Sequence, residues 1–271
     1  MSFFEEYLKR NVNFAEEVRN LYILITRGSR NSPALLQIAE NYFLEWPLRG
    51  TAVTLHDFLK ISGMGEIETK AHKNEEITLE QYLLMVEIVL SMVNYFYKKL
   101  NKYTIVPIYE NVVKVLSKIN YETVNVNFDN RAEYVKCIEK DVVIFEASEI
   151  VNDNNLSEKI FMYRHYSLKG NVYEKAIILS RLYMYFEGIR NSLVQNGFST
   201  LCKTIGELSD KLNVRHKPNG REELVVKEFN NKELEQVYDK LFDTYLSAIV
   251  LSRYIKNKEY LEDLRKKFIK K

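Results

Sequence analysis

The chain has 271 residues, enough for one large domain or two small ones. Hydrophobic residues make up 46% and charged residues 28%, the balance of an ordinary soluble globular protein, not of a disordered or membrane-embedded one. With 39 basic and 37 acidic side chains the formal charge is only +2, which excludes the strong basic excess usual in nucleic-acid binders but leaves room for a local patch.

Two cysteines, Cys137 and Cys202, lie far apart and without metal-ligand spacing, as expected for reduced thiols in a reducing compartment. The N-terminus MSFFEEYLKRNVNF carries acids where a signal peptide needs a basic segment and an apolar run. The most apolar stretch, Tyr82 to Tyr97, is short for a membrane span and is interrupted by Glu87 and Asn94. The expectation is a cytoplasmic protein with no membrane contact.

Helical periodicity of Phe3, Phe4, Tyr7, Leu8, Val18, Leu21 and Tyr22 predicts a helix over 3–26, with Asn11–Asn13 as a candidate break. Ser32-Pro33 predicts the start of a second helix, ended by Pro47 and Gly50. A short third helix follows Thr54, and residues 62–77 read as a polar loop. Thr78-Leu79-Glu80-Gln81 has the form of a capping box. The helix it opens, up to about Leu100, is apolar on most faces and is therefore expected at the centre of a bundle. Pro107 is read as the start of another helix, to about Ile119.

The period changes at residue 121. Val124, Val126 and Phe128 alternate with asparagines, and Tyr134 to Ile138 follow after Asp129-Asn130, a hairpin signal. Asp141 to Ala147 reads as a third strand or a helix start, and Asn152 to Asn155 as a loop. Four helices fit the remainder: 158–168 capped by Ser157, 172–194 capped by Asn171, one from Ser199 to about Asn213, and 232–256 capped by Asn231. A basic segment, Arg265 to Lys271, closes the chain. The predicted fold is mostly α, with two helical bundles and a small β-hairpin element between them. Its parts are an N-terminal bundle (1–104), a connecting segment (105–156) and a C-terminal bundle (157–271).

Chemistry concentrates in Leu212-Asn213-Val214-Arg215-His216-Lys217-Pro218-Asn219-Gly220, which holds one of four histidines. His216 can move a proton near neutral pH. Arg215 can hold phosphate oxygens and offset transition-state charge. Asn213 can donate to a phosphate or orient the imidazole. Metal-independent RNA cleavage needs this set, and one imidazole serves poorly as both acid and base, so a symmetric partner would supply the second. The plain alternative is a cationic helix end: Pro218 and Gly220 are stop signals, and Lys, Arg and His are favoured where the helix dipole is negative. Arg49 and His56 form a second Arg–His pair, in RGTAVTLH. No HExxH, CxxC, Walker loop or dinucleotide fingerprint is present, so no metal or cofactor is expected. Tyr95, Tyr97, Lys98, Lys99, Lys102 and Tyr103 mix aromatics with cations, read as a base-stacking surface or a basic helix terminus.

The order of long helix, helix, Asn-x-Arg-His, polar loop and long helix resembles the HEPN superfamily (higher eukaryote and prokaryote nucleotide-binding domains) over roughly residues 157–256. It is similar to the helical domains of bacterial abortive-infection proteins. The resemblance implies an α-helical bundle, a homodimer and, in active members, metal-independent RNase activity at a shared cleft. Carried over, it gives His216 and Arg215 as catalytic residues, Asn213 as their polar neighbour, and Lys217, Arg190 and Asn191 as RNA contacts. Active members place the His four to six residues beyond an Arg-polar pair. Here Arg215 directly precedes His216, and Arg190-Asn191 has no His at that distance. The expected function is an RNA-binding or RNA-cleaving protein of a defence or toxin system; the alternative is a non-enzymatic helical adaptor with a protein partner.

Overall fold

The computed structural model describes residues 12–28, 33–129, 132–215 and 229–269. It is mostly helical, with one two-stranded antiparallel sheet among the described residues. Two compact units divide the chain, Met1–Lys140 and Asp141–Lys271. Among the described residues no helix is long and apolar enough to cross a membrane.

The first unit contains α1 (Phe14–Thr26), α2 (Leu35–Asn41), α3 (Leu55–Ile61), α4 (Met64–His72), α5 (Leu79–Phe96), α6 (Lys102–Lys118), β1 (Tyr121–Asp129) and β2 (Ala132–Glu139). Short 3-10 turns at Phe43–Glu45, Pro47–Arg49 and Tyr97–Lys99 join them. The capping box opens α5: Thr78 Oγ1 accepts from the Gln81 N–H at 3.2 Å, and Gln81 Oε1 accepts from the Thr78 N–H at 3.1 Å. Eleven of its residues, from Tyr82 to Phe96, are buried, so it is the core helix that its near-uniform apolarity implied.

Two of those buried residues are polar and tie the hairpin down. Ser91 Oγ accepts the Val135 N–H at 2.9 Å, and Glu87 accepts the Cys137 N–H at 2.8 Å. Val135 and Cys137 are two apart, so their N–H groups leave the same edge of β2, opposite the edge that pairs with β1. A helix rises about 6 Å over four residues and a strand about 6.8 Å over two, so an i, i+4 pair on α5 matches an i, i+2 pair on β2. The helix thereby closes a sheet edge that would otherwise be open to another strand. Lys136 Nζ completes the arrangement at 3.0 Å from Glu87.

The second unit contains α7 (Val142–Val151), α8 (Asn154–Tyr163), a 3-10 turn (Tyr166–Leu168), α9 (Val172–Gln195), α10 (Ser199–Lys211) and α11 (Asn231–Ile269). Its core joins Ile144, Ile160, Ile178, Leu182, Phe186, Ile205, Leu241, Phe242, Tyr245 and Ile249. Tyr163 stacks on Phe242 with ring centroids 3.9 Å apart and planes 5° from parallel.

Several boundaries differ from the sequence reading. Residues 62–77 are not a loop: Met64, Ile67 and Ala71 are buried on one face of α4. Three apolar positions in a charged stretch are easily overlooked, yet they suffice for a nine-residue helix. Pro107 does not begin α6 but lies inside it, since Asn101 caps six residues earlier by accepting the Tyr103 N–H at 2.7 Å. Asp141 to Ala147 resolves as helix because Asp141 accepts the N–H groups of Val143 and Ile144. Asn152 in the left-handed region (φ 47°) and Asp153 as the next cap reduce the expected loop 152–155 to a two-residue turn. Ser157 is inside α8, and its hydroxyl donates to the Ser148 carbonyl at 2.6 Å. Asn230, not Asn231, caps α11 by accepting the N–H groups of Lys232 and Glu233. The unit division at 140/141 assigns α6 and the hairpin to the N-terminal unit and α7 to the C-terminal one, where the sequence reading had set 105–156 apart. The expected helix over residues 3–11 and the Ser32 cap lie outside the described residues.

Candidate functional site

The Asn-x-Arg-His segment begins at the C-terminal end of α10. The Asn213 N–H donates to the Asp210 carbonyl at 3.2 Å, and the Val214 N–H to the Ser209 carbonyl at 2.9 Å. These are the paired reverse bonds of a Schellman turn, which needs a left-handed residue just past the cap. Asn213 fills that position with φ 53°. Asparagine tolerates it better than any other residue bar glycine, so the backbone conformation favours this residue type. Val214 is buried and anchors the turn. Ser209 and Tyr245 share a hydroxyl–hydroxyl contact of 2.6 Å beneath it.

Arg215 emerges from this turn and is spoken for. Its Nη1 lies 3.1 Å from both Asp210 carboxylate oxygens, and its guanidinium sits 5.7 Å from the centre of the Tyr183 ring. The hydrogen bond to Asp210, then the neighbouring Tyr183, raises its pKa further, so it is a permanent cation. Burial, then the adjacent Glu187 carboxylate, pushes the Tyr183 phenol up to about 12. Glu187 in turn pairs with Arg190 at 3.1 Å, one helical turn along α9. Arg190 and Arg215 are thus brought to one patch around Tyr183 and Glu187, although 25 positions separate them in the chain. Asn191 is exposed on α9 beside Arg190. His216 and Lys217 lie outside the described residues.

The second Arg–His pair joins a 3-10 turn to the first residues of α3. The Arg49 guanidinium donates to the Ala52 carbonyl at 2.7 Å, closing its own turn, while His56 is exposed on α3. His165 is buried, with Nδ1 2.7 Å from Ser167 Oγ, and starts a 3-10 turn. His72 lies 3.6 Å from Glu68 on α4. Among the described residues no group of three or more His, Cys, Asp or Glu side chains could hold a metal ion.

One constellation was not anticipated. Lys175, buried on α9, lies 2.7 Å from Glu235 and 2.8 Å from Asp239, and 5.0 Å from the centre of the Tyr163 ring. Arg164 pairs with Asp243. The three acids recur every fourth residue along α11, a ridge visible in the sequence once the helix is placed. Burial pushes the Glu235 carboxyl up, but Lys175 and the Gly170 N–H outweigh it and leave the pKa lowered. Beside this network lies a cavity of about 810 Å³ whose lining includes Arg164, Leu208, Leu212, Phe229, Asp239 and Asp243. Among the described residues its wall carries three carboxylates, Glu233, Asp239 and Asp243, and two cations, Arg164 and Lys240. The candidate phosphate-contacting arginines, Arg190 and Arg215, lie in the other patch, each beside a carboxylate.

Comparison of the chain with protein-family models, with curated proteins and with solved structures found no match.

Proposed function

We propose that the C-terminal unit is a HEPN-like module that acts on RNA, as part of a defence or toxin system, with a homodimer supplying a second histidine. The observation supporting this reading is the gathering of Arg190 and Arg215 around Tyr183 at the mouth of the segment leading to His216. In this reading Arg215 and Arg190 contact phosphate, with Asn191 and Lys217 at the rim, and His216 moves the proton. A phosphate would displace Asp210 from Arg215, an exchange that leaves the guanidinium with a bidentate acceptor of the same geometry.

The test is cleavage of a labelled single-stranded RNA in the presence of a chelator, comparing wild type with His216→Ala and Arg215→Ala. The expected result is cleavage leaving 2′,3′-cyclic phosphate ends, reduced at least about 100-fold in each variant. Equal rates in all three proteins would remove this site from the mechanism.

A second reading, a non-enzymatic adaptor, is favoured by the carboxylate partner each arginine already has. It is supported if the wild-type protein neither cleaves nor binds the RNA at low salt, where phosphate contacts are strongest.

A further inference from the structure

Helix α11 runs for 39 residues, about 58 Å. Its core-facing side, through Phe242, Tyr245, Ile249, Ser252 and Ile255, is buried. Beyond Ile255 that side becomes polar: Glu259, Asp263 and Lys266 continue it and are exposed. The apolar residues reappear on the opposite side. Tyr254, Leu261 and Phe268 are 61%, 62% and 75% exposed. Tyr254, Asn257, Leu261, Leu264 and Phe268 are spaced alternately by three and four, which is the a/d pattern of a coiled-coil seam, while Val250, one step earlier, packs against the core. At about 100° per residue these five positions fall within a band about 80° wide. Such a narrow stripe suits another helix, whereas a membrane surface calls for a broader apolar face.

The charged residues of α11 itself at the positions beside the seam are all basic, and the first of them, Arg253, lies 3.8 Å from Glu149 of α7. Lys258 and Arg265 flank it on one side, Arg253 and Lys267 on the other, with Tyr260 between the latter two. The acids Glu259, Glu262 and Asp263 lie away from it, where Glu262 and Asp263 meet Lys258 and Lys266 of the same helix. A second copy would set these bases against each other. Parallel pairing opposes Arg253 to Lys258, and antiparallel pairing opposes Lys258 to Arg265.

We infer that the seam of α11 over residues 254–268 docks an amphipathic helix of a different protein whose seam-flanking residues are acidic. Asn257 at one core position would fix the register of that pairing by asking for a polar partner. This goes beyond the RNA reading and does not rest on it.

The test uses the full chain and two synthetic three-heptad peptides, each with leucine at a and d and one asparagine opposite Asn257. One peptide carries Glu at all e and g positions, the other Lys. Fluorescence anisotropy should show binding of the Glu peptide at least tenfold tighter than of the Lys peptide. Leu261→Asp should weaken it at least tenfold, with an unchanged circular dichroism melt because the side chain is exposed. Leu264→Ala provides a milder second variant with the same expectation in smaller measure. The inference is overturned by equal affinity for both peptides, or by no binding of either. It is also overturned by a concentration-dependent dimer that Leu261→Asp abolishes, which would make the occupant a second copy. Binding to phosphatidylserine vesicles without binding to the Glu peptide would assign the seam to a membrane surface.

Discussion

Single residues carry much of this structure through backbone geometry and buried hydrogen bonds. Asn213 has two candidate roles, helix stop and participant in chemistry, and they predict different things. As a stop, Asn213→Gly keeps stability and any RNA-directed activity, whereas Asn213→Val loses about 1–2 kcal/mol because a β-branched residue resists positive φ. Thermal melts of both variants, with activity measured alongside, separate the roles: an inactive but stable Gly variant would restore the chemical one. Glu87 is only 4% exposed and accepts both a backbone N–H and Lys136. Glu87→Ala leaves a buried donor and a cation unpaired and should cost about 3–5 kcal/mol. That is a fall in Tm on the order of 10 °C, and Glu87→Gln should recover part of it by restoring an acceptor for Cys137. Glu235 gives a pH signature. Its folded pKa lies below the ordinary 4.5, so the stability it contributes is present above that value and fades as pH falls through the lowered folded value. Acid titration of the melting temperature should therefore be shallower for Glu235→Gln than for wild type below about pH 4.5.

At the level of elements, legibility followed whether a helix announced itself by local chemistry. The capping box at Thr78 and the cap at Asn171 placed α5 and α9 because a side chain satisfying an orphan N–H is a local event. Helix α4 was missed because its apolar face is three residues wide and means something only once α1 and α5 are there to cover it. Pro107 misled for a related reason. A proline inside a helix costs a hydrogen bond, here the one to the Tyr103 carbonyl, and tertiary packing of Ile108, Val112 and Val115 outweighs that loss. The far half of α11 was read as ending near 256 because its apolar stripe leaves the core face there. The helix continues through i, i+4 charge pairs such as Lys258–Glu262.

At the level of the whole molecule, two units each close a core of their own. Lys140 and Asp141 meet where β2 ends and the Asp141 cap begins, so few residues serve as a joint. The C-terminal unit joins α7 through α11 in one apolar cluster. A fragment spanning 141–271 should accordingly express as a helical protein with a single cooperative melt, measured by circular dichroism. A featureless melt would show that its core is incomplete without the first 140 residues.

The sequence by itself determined the mostly helical class, the central helix opened by the capping box at Thr78 and the hairpin after 121. Each of these depends on periodicity, capping or turn chemistry, which act over a few neighbouring residues. Only the tertiary structure decided that Arg190 and Arg215 share a patch, that both already face carboxylates, and that Glu87 and Ser91 seal the edge of β2. Those facts depend on which helices lie side by side, a matter of packing between positions far apart in the chain. Local sequence rules carry no information about such neighbours.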